Sequence, residues 1–145
     1  MDKKRYKKLT EKASPNSPIL KNMFFAFLIG GSICALGQIF MNIYIYLGVE
    51  KDTAGTLVSI TLILISVILT GLNLFDRIAK IAGAGTLVPI TGFANSVASP
   101  AIEFKSEGYV LGVGAKMFTI AGPVIVYGTV ASVVYGIIYW ITTII

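Results

Sequence analysis

The sequence predicts an all-α integral membrane protein with about three full transmembrane helices plus a Gly/Pro-broken or re-entrant segment, four to five membrane segments in all. Three observations carry this. First, 55% of the residues are hydrophobic and 13% charged, against about 45–50% and about 25% in soluble domains. A single domain of 145 residues leaves too much of its surface exposed to hide that apolar content from water, and the mean hydropathy is +0.81. Second, apolar runs of spanning length occupy 23–47 and 54–75. Third, the charges cluster between such runs rather than along them.

Residues 1–22 form a polar, basic tail ahead of a transmembrane domain at 23–145. Seven of the twelve Lys/Arg stand in this tail: Lys3, Lys4, Arg5, Lys7, Lys8, Lys12 and Lys21. Placed directly before an apolar run, they put the N-terminus in the cytoplasm by the positive-inside rule and suit anionic lipid. No basic patch interleaved with aromatics follows, which argues against nucleic acid as a partner. Pro15 and Pro18 break any helix in the tail.

The run 23–47 is too long for the apolar region of a signal peptide and no small-residue cleavage site closes it. Ile33 before Cys34 argues against a lipoprotein. The segment reads as a retained, tilted helix, with Tyr44 and Tyr46 at its far interface. A short external turn at 48–53 leads to the second helix, 54–75, whose end at Asp76, Arg77 and Lys80 returns the chain to the cytoplasm.

The segment 81–101, IAGAGTLVPITGFANSVASPA, is long enough to span but carries Gly83, Gly85, Pro89, Gly92, Asn95, Ser96, Ser99 and Pro100. Irregular backbone survives at membrane depth only where protein or a water-filled cavity satisfies it. The expectation is two half-helices or a re-entrant hairpin. After the charged stretch 102–108, residues 109–145 exceed one span. Gly112, Gly114, Gly122 and Pro123 divide them into a short segment at 109–121 and a helix at 123–144 that ends near Tyr139 and Trp140. The stretches 83–94 and 114–128 each start on Gly and break mid-way at Gly/Pro, and paired interrupted segments point to a transport site.

Covalent chemistry finds little to work with. There is one cysteine and no histidine, so intrachain disulfides and His-based catalysis or metal ligation are excluded. No nucleophile–base pair, carboxylate pair or metal-ligand spacing occurs, and Gly112-x-Gly114 is too short for a phosphate motif. The chain is expected not to be an enzyme and to need no cofactor.

Polar faces remain as candidates. Gly31, Ala35, Gln38 and Asn42 share one face of the first helix, and Gly55, Ser59, Ser66, Thr70 and Asn73 one stripe of the second. Each reads as helix packing or pore lining, and together they suggest a shared, wettable interface. Gly128, Ser132 and Gly136 form a small-residue association face on the last helix. Ionisable residues near membrane depth are functional candidates by default. Glu103 and Lys116 stand out, while Arg77 and Lys80 suit interfacial snorkelling.

The pieces PITGFANS (89–96), EFKSEG (103–108) and MFTIAGPVI (117–125) resemble the SpoVAC/SpoVAEB family of sporulation membrane proteins. The resemblance covers essentially the whole chain and implies a spore inner-membrane complex that moves dipicolinic acid, with calcium, into the forespore and out again at germination. It further implies channel activity, with membrane tension as a gating trigger. The implied partners are an AEB-type membrane protein and a soluble AD-type protein that binds dipicolinic acid. On this reading Pro89, Gly92, Asn95, Ser96, Pro100, Glu103 and Lys116 line or gate a path, with half-helix N-termini favouring the dianion. About three spans cannot enclose a pore, so the channel reading requires an oligomer. The alternative is a non-conducting scaffold that anchors the soluble partner.

Overall fold

The structure, a computed structural model, describes residues 17–144. Most of the basic tail therefore lies outside the described residues, including Tyr6, Pro15 and every cation before Lys21. Helix α1 spans Ile19–Tyr46. It begins at once after Pro18, four residues before the expected start, and takes Lys21 and Asn22 into its first turn. At about 1.5 Å per residue its 28 residues exceed the roughly 30 Å of hydrocarbon, so it must tilt or protrude.

A tight turn with Gly48 leads to α2, Lys51–Gly71. Asp52 lies in its first turn, where the helix dipole favours an anion. The pair is antiparallel: the Tyr44 hydroxyl lies 2.7 Å from Thr61 Oγ1, and Gly37 is buried against Val58 and Leu62. Helix α2 stops before the expected end at 75, because Leu72 and left-handed Asn73 (φ 56°) turn the chain. Phe75 instead opens α3, Phe75–Ala82, a short amphipathic helix that buries Phe75 and Ala82 and exposes Asp76, Arg77 and Lys80. It sits beside the start of α1, where Lys80 and Ile81 share a small cavity with Ile19, Asn22 and Met23.

From there the chain climbs through α4, Ala84–Leu87, to a tip at Val88–Pro89, and then descends as α5, Ile90–Glu103. Gly85 packs so closely on α1 that a Cβ would collide with the Ala26 carbonyl. The tip reaches Gly31 and Cys34, half-way along α1. The direction of α5 follows from two hydrogen-bonded pairs, Ser66 with Thr91 and Thr70 with Asn95, both 25 residues apart. Equal offsets mean that α5 runs parallel to α2. Segment 75–103 therefore enters and leaves at the end where α2 stops. Its longest helix has 14 residues, about 21 Å, too short to span. Of the two arrangements open to the sequence, the chain adopts a re-entrant hairpin.

A 3₁₀ turn (Phe104–Glu107) and a π-helical turn (Tyr109–Gly114) lead into α6, Ala115–Ile144. The expected division at Gly122–Pro123 is absent: the helix runs unbroken from Tyr109 to Ile144. Pro123 removes a single N–H, that facing the Thr119 carbonyl, and membrane helices tolerate such a loss. Stretches 83–94 and 114–128 are thus not alike, and the paired-interruption reading does not hold. Lys116 sits over Phe104, and Ile120 faces the wall formed by Asn95 and Ser99, so α6 runs antiparallel to α5. Beyond Pro123 every described residue of α6 is exposed, Gly128, Ser132 and Gly136 included. Three helical runs, Ile19–Tyr46, Lys51–Gly71 and Tyr109–Ile144, are long and apolar enough to cross a membrane.

Candidate functional site at the re-entrant hairpin

The hairpin is held to α2 by hydroxyl groups. Ser66 is buried, and its Oγ donates to the Thr91 carbonyl at 2.7 Å. One turn on, Thr70 Oγ1 lies 2.7 Å from the Ser66 carbonyl and 2.8 Å from Asn95 Oδ1. One hydroxyl proton serves one acceptor at a time, so both contacts are satisfied when Asn95 turns its Nδ2–H toward Thr70. Gly92 completes the fit: a Cβ there would strike the Thr86 carbonyl across the hairpin. Beside these contacts Thr91 Oγ1 is buried and has no hydrogen-bond partner among the described residues.

A cavity of about 420 Å³ opens between α3, the hairpin and α6. Thr86, Asn95, Ser96 and Ser99 supply its polar wall, while Phe75, Pro100 and Ile120 supply apolar wall. The polarity has a backbone source as well. Pro100 lies inside α5 and has no N–H, so the Ser96 carbonyl lacks its helical donor. The Ser96 hydroxyl spends its proton on the Phe93 carbonyl at 2.7 Å, and that of Thr86 on the Gly83 carbonyl at 3.1 Å. Both therefore present lone pairs. Among the described residues lining this cavity, none is ionisable.

The structure brings Gly92, Asn95, Ser96 and Pro100 together around the cavity. Pro89 stands at the tip and starts α5 from an extended backbone (ψ 158°). Glu103 ends α5 exposed, and Lys116 lies 4.4 Å from the Phe104 ring centre; neither belongs to the cavity wall. The two polar stripes also part company. Ser66 and Thr70 face the hairpin, Ser59 bonds back to the Gly55 carbonyl at 3.1 Å, and Asn73 lies in the turn. Ala35, Gln38 and Asn42 are exposed on the outside of α1, and Gly31, also exposed, borders the cavity at the hairpin tip. The expected shared α1–α2 polar interface therefore does not form, because α1 turns Gly37 and Tyr44 toward α2 instead. Sequence reasoning missed Thr91 and Phe75. The four-residue spacing of Ser66/Thr70, matched by Thr91/Asn95, was the available signal for the first.

The family model of the SpoVAC/SpoVAEB sporulation membrane proteins matches residues 22–138. The chain belongs to this family. It is 51% identical over 137 residues to stage V sporulation protein AC of Bacillus subtilis (strain 168), covering 94% of this chain and 91% of that relative. No solved structure matches it. The part shared with the SpoVAC/SpoVAEB family contains the whole hairpin, the cavity and the α2 contacts. The chain is thus a sporulation membrane protein, in keeping with its three helices of spanning length.

Proposed function

We propose that this chain is a subunit of a channel or transport complex in the spore inner membrane, which moves dipicolinic acid with its calcium into the forespore and out at germination. The observation that carries the reading is a largely apolar cavity with Thr86, Asn95, Ser96 and Ser99 in its wall, at a re-entrant hairpin whose tip reaches the middle of α1. Irregular backbone within a membrane is tolerated where it is packed in protein or lines a water-filled cavity, and this hairpin borders such a space. With the N-terminus in the cytoplasm, the hairpin opens to the cytoplasmic side and α6 carries the chain out to the other. An AEB-type membrane subunit and a soluble AD-type protein are the partners this reading requires.

The wall also bears on the form of the solute. Dipicolinate alone is a dianion, and a wall whose described residues carry no ionised side chain does not offset the cost of its desolvation. Its calcium chelate is near neutral and suits a wall of hydroxyls, an amide and a freed carbonyl. The hairpin acts as the gate. It is bounded by Gly83 and Gly108, both at positive φ (51° and 95°), where glycine turns freely. Between those hinges it rests on α2 through Ser66 and Thr70. Membrane tension that draws α2 away from the hairpin works directly against these two contacts.

The test is flux. Purified protein, alone and with its AEB-type partner, is reconstituted into liposomes loaded with calcium dipicolinate, and release is followed under osmotic downshift. Release above that of loaded, protein-free liposomes supports the channel. Its absence with every subunit present supports a non-conducting scaffold for the soluble partner.

A further inference from the structure

Gln38 and Asn42 stand on the outer side of α1, exposed, eight and four residues before the helix ends at Tyr46. Gln38 is thus about 12 Å from that end and within the hydrocarbon. Its Nε2 donates to Asn42 Oδ1 at 2.9 Å. That bond satisfies one donor and one acceptor and leaves the Gln38 Oε1, its second N–H and both N–H groups of Asn42. No other described residue of this chain covers them. On the same stripe Ala35 is exposed, and Gly31 borders the cavity at the hairpin tip, where a Cβ would still meet nothing within 4 Å.

We propose that this stripe of α1 is the interface between two copies of the chain, related by a twofold axis along the membrane normal. Amides left in hydrocarbon are satisfied across helices, and the choice of a second copy follows from what is left over. The remaining set contains both donors and an acceptor, so it is complementary to itself. Copies inserted in the same direction place Gln38 and Asn42 at equal depth, and the Asn42 Nδ2–H of each copy reaches the Gln38 Oε1 of the other. Ala35 and Gly31, one and two turns before Gln38, let the two backbones approach. The interface holds whatever solute the complex carries.

The experiment uses the full chain with Cys34, the sole cysteine, changed to Ser. Ala35→Cys and, on another exposed face, Leu36→Cys are each reconstituted in lipid vesicles at two lipid-to-protein ratios and oxidised. Ala35→Cys is expected to give a disulfide dimer several-fold more than Leu36→Cys, with a yield that survives dilution into lipid. Gln38→Leu with Asn42→Leu should cut that yield several-fold at an unchanged unfolding midpoint. Gly31→Leu, which keeps the amides but blocks close approach, should do the same. Equal yields at the two thiols, a yield indifferent to all three replacements, or a chain that stays monomeric without another subunit would each overturn the proposal.

Discussion

The Ser66 hydroxyl reaches across from α2 to the Thr91 carbonyl at 2.7 Å, and Thr70 repeats the contact one turn later on Asn95. Both links join residues 25 apart, so they form a ladder between parallel helices and can part together. In a membrane such links are individually modest, about 0.6 kcal/mol on average.

Ser66→Ala and Thr70→Val should each loosen the hairpin by about 0.5–1.5 kcal/mol. The double replacement should fall short of the sum, since both contacts hold the same helix to α2 and losing one weakens the other. Thermal unfolding in detergent measures the loss. Dipicolinate release from liposomes should begin at a smaller osmotic step than with the parent chain.

Thr91→Val should act in the opposite direction. The Thr91 hydroxyl is buried without a partner among the described residues, and such a group costs about 1–3 kcal/mol. Valine keeps the shape and removes the hydroxyl. A raised unfolding midpoint and a larger osmotic threshold are expected; a lowered midpoint would show that the hydroxyl is satisfied in the membrane.

Gly85→Ala should cost about 1–3 kcal/mol, because the new methyl meets the Ala26 backbone rather than a side chain that can yield. Gly122→Ala, where a Cβ meets open space, serves as the control. Limited proteolysis of the hairpin in liposomes should separate the two.

Lys116→Met should leave the cavity intact, since Lys116 packs over Phe104 outside its wall. A stability loss of about 0.5–1 kcal/mol is expected from the lost cation–π contact. Flux at saturating osmotic shock should stay near that of the parent chain. A large loss of flux would place Lys116 on the path after all.

Composition alone made the membrane class legible, and Gly83 with Pro89 marked the broken segment, because each breaks a helix by a local mechanism. Helix ends were harder to place. Phe75 is apolar enough to extend α2, but an upstream left-handed Asn73 turns the chain and gives Phe75 to α3. Pro123 looked like a division, yet a lone proline removes one bond and α6 continues through it. Periodicity identified the stripes on α1 and α2 but not what each one faces, which depends on how the helices rotate against their neighbours. The register of α5 on α2 is a tertiary fact, so Thr91 stayed hidden although its spacing to Asn95 mirrors that of Ser66 to Thr70.

If the hairpin must leave α2 for solute to pass, a covalent lock between the two should stop release. Thr70→Cys with Asn95→Cys, in a chain whose Cys34 is Ser, places a reversible disulfide where the two side chains now touch. Osmotically triggered dipicolinate release is then measured before and after reduction, in liposomes that hold every subunit needed for release. The locked protein should retain its solute and regain release when reduced. Equal release from the locked and reduced forms would contradict the account.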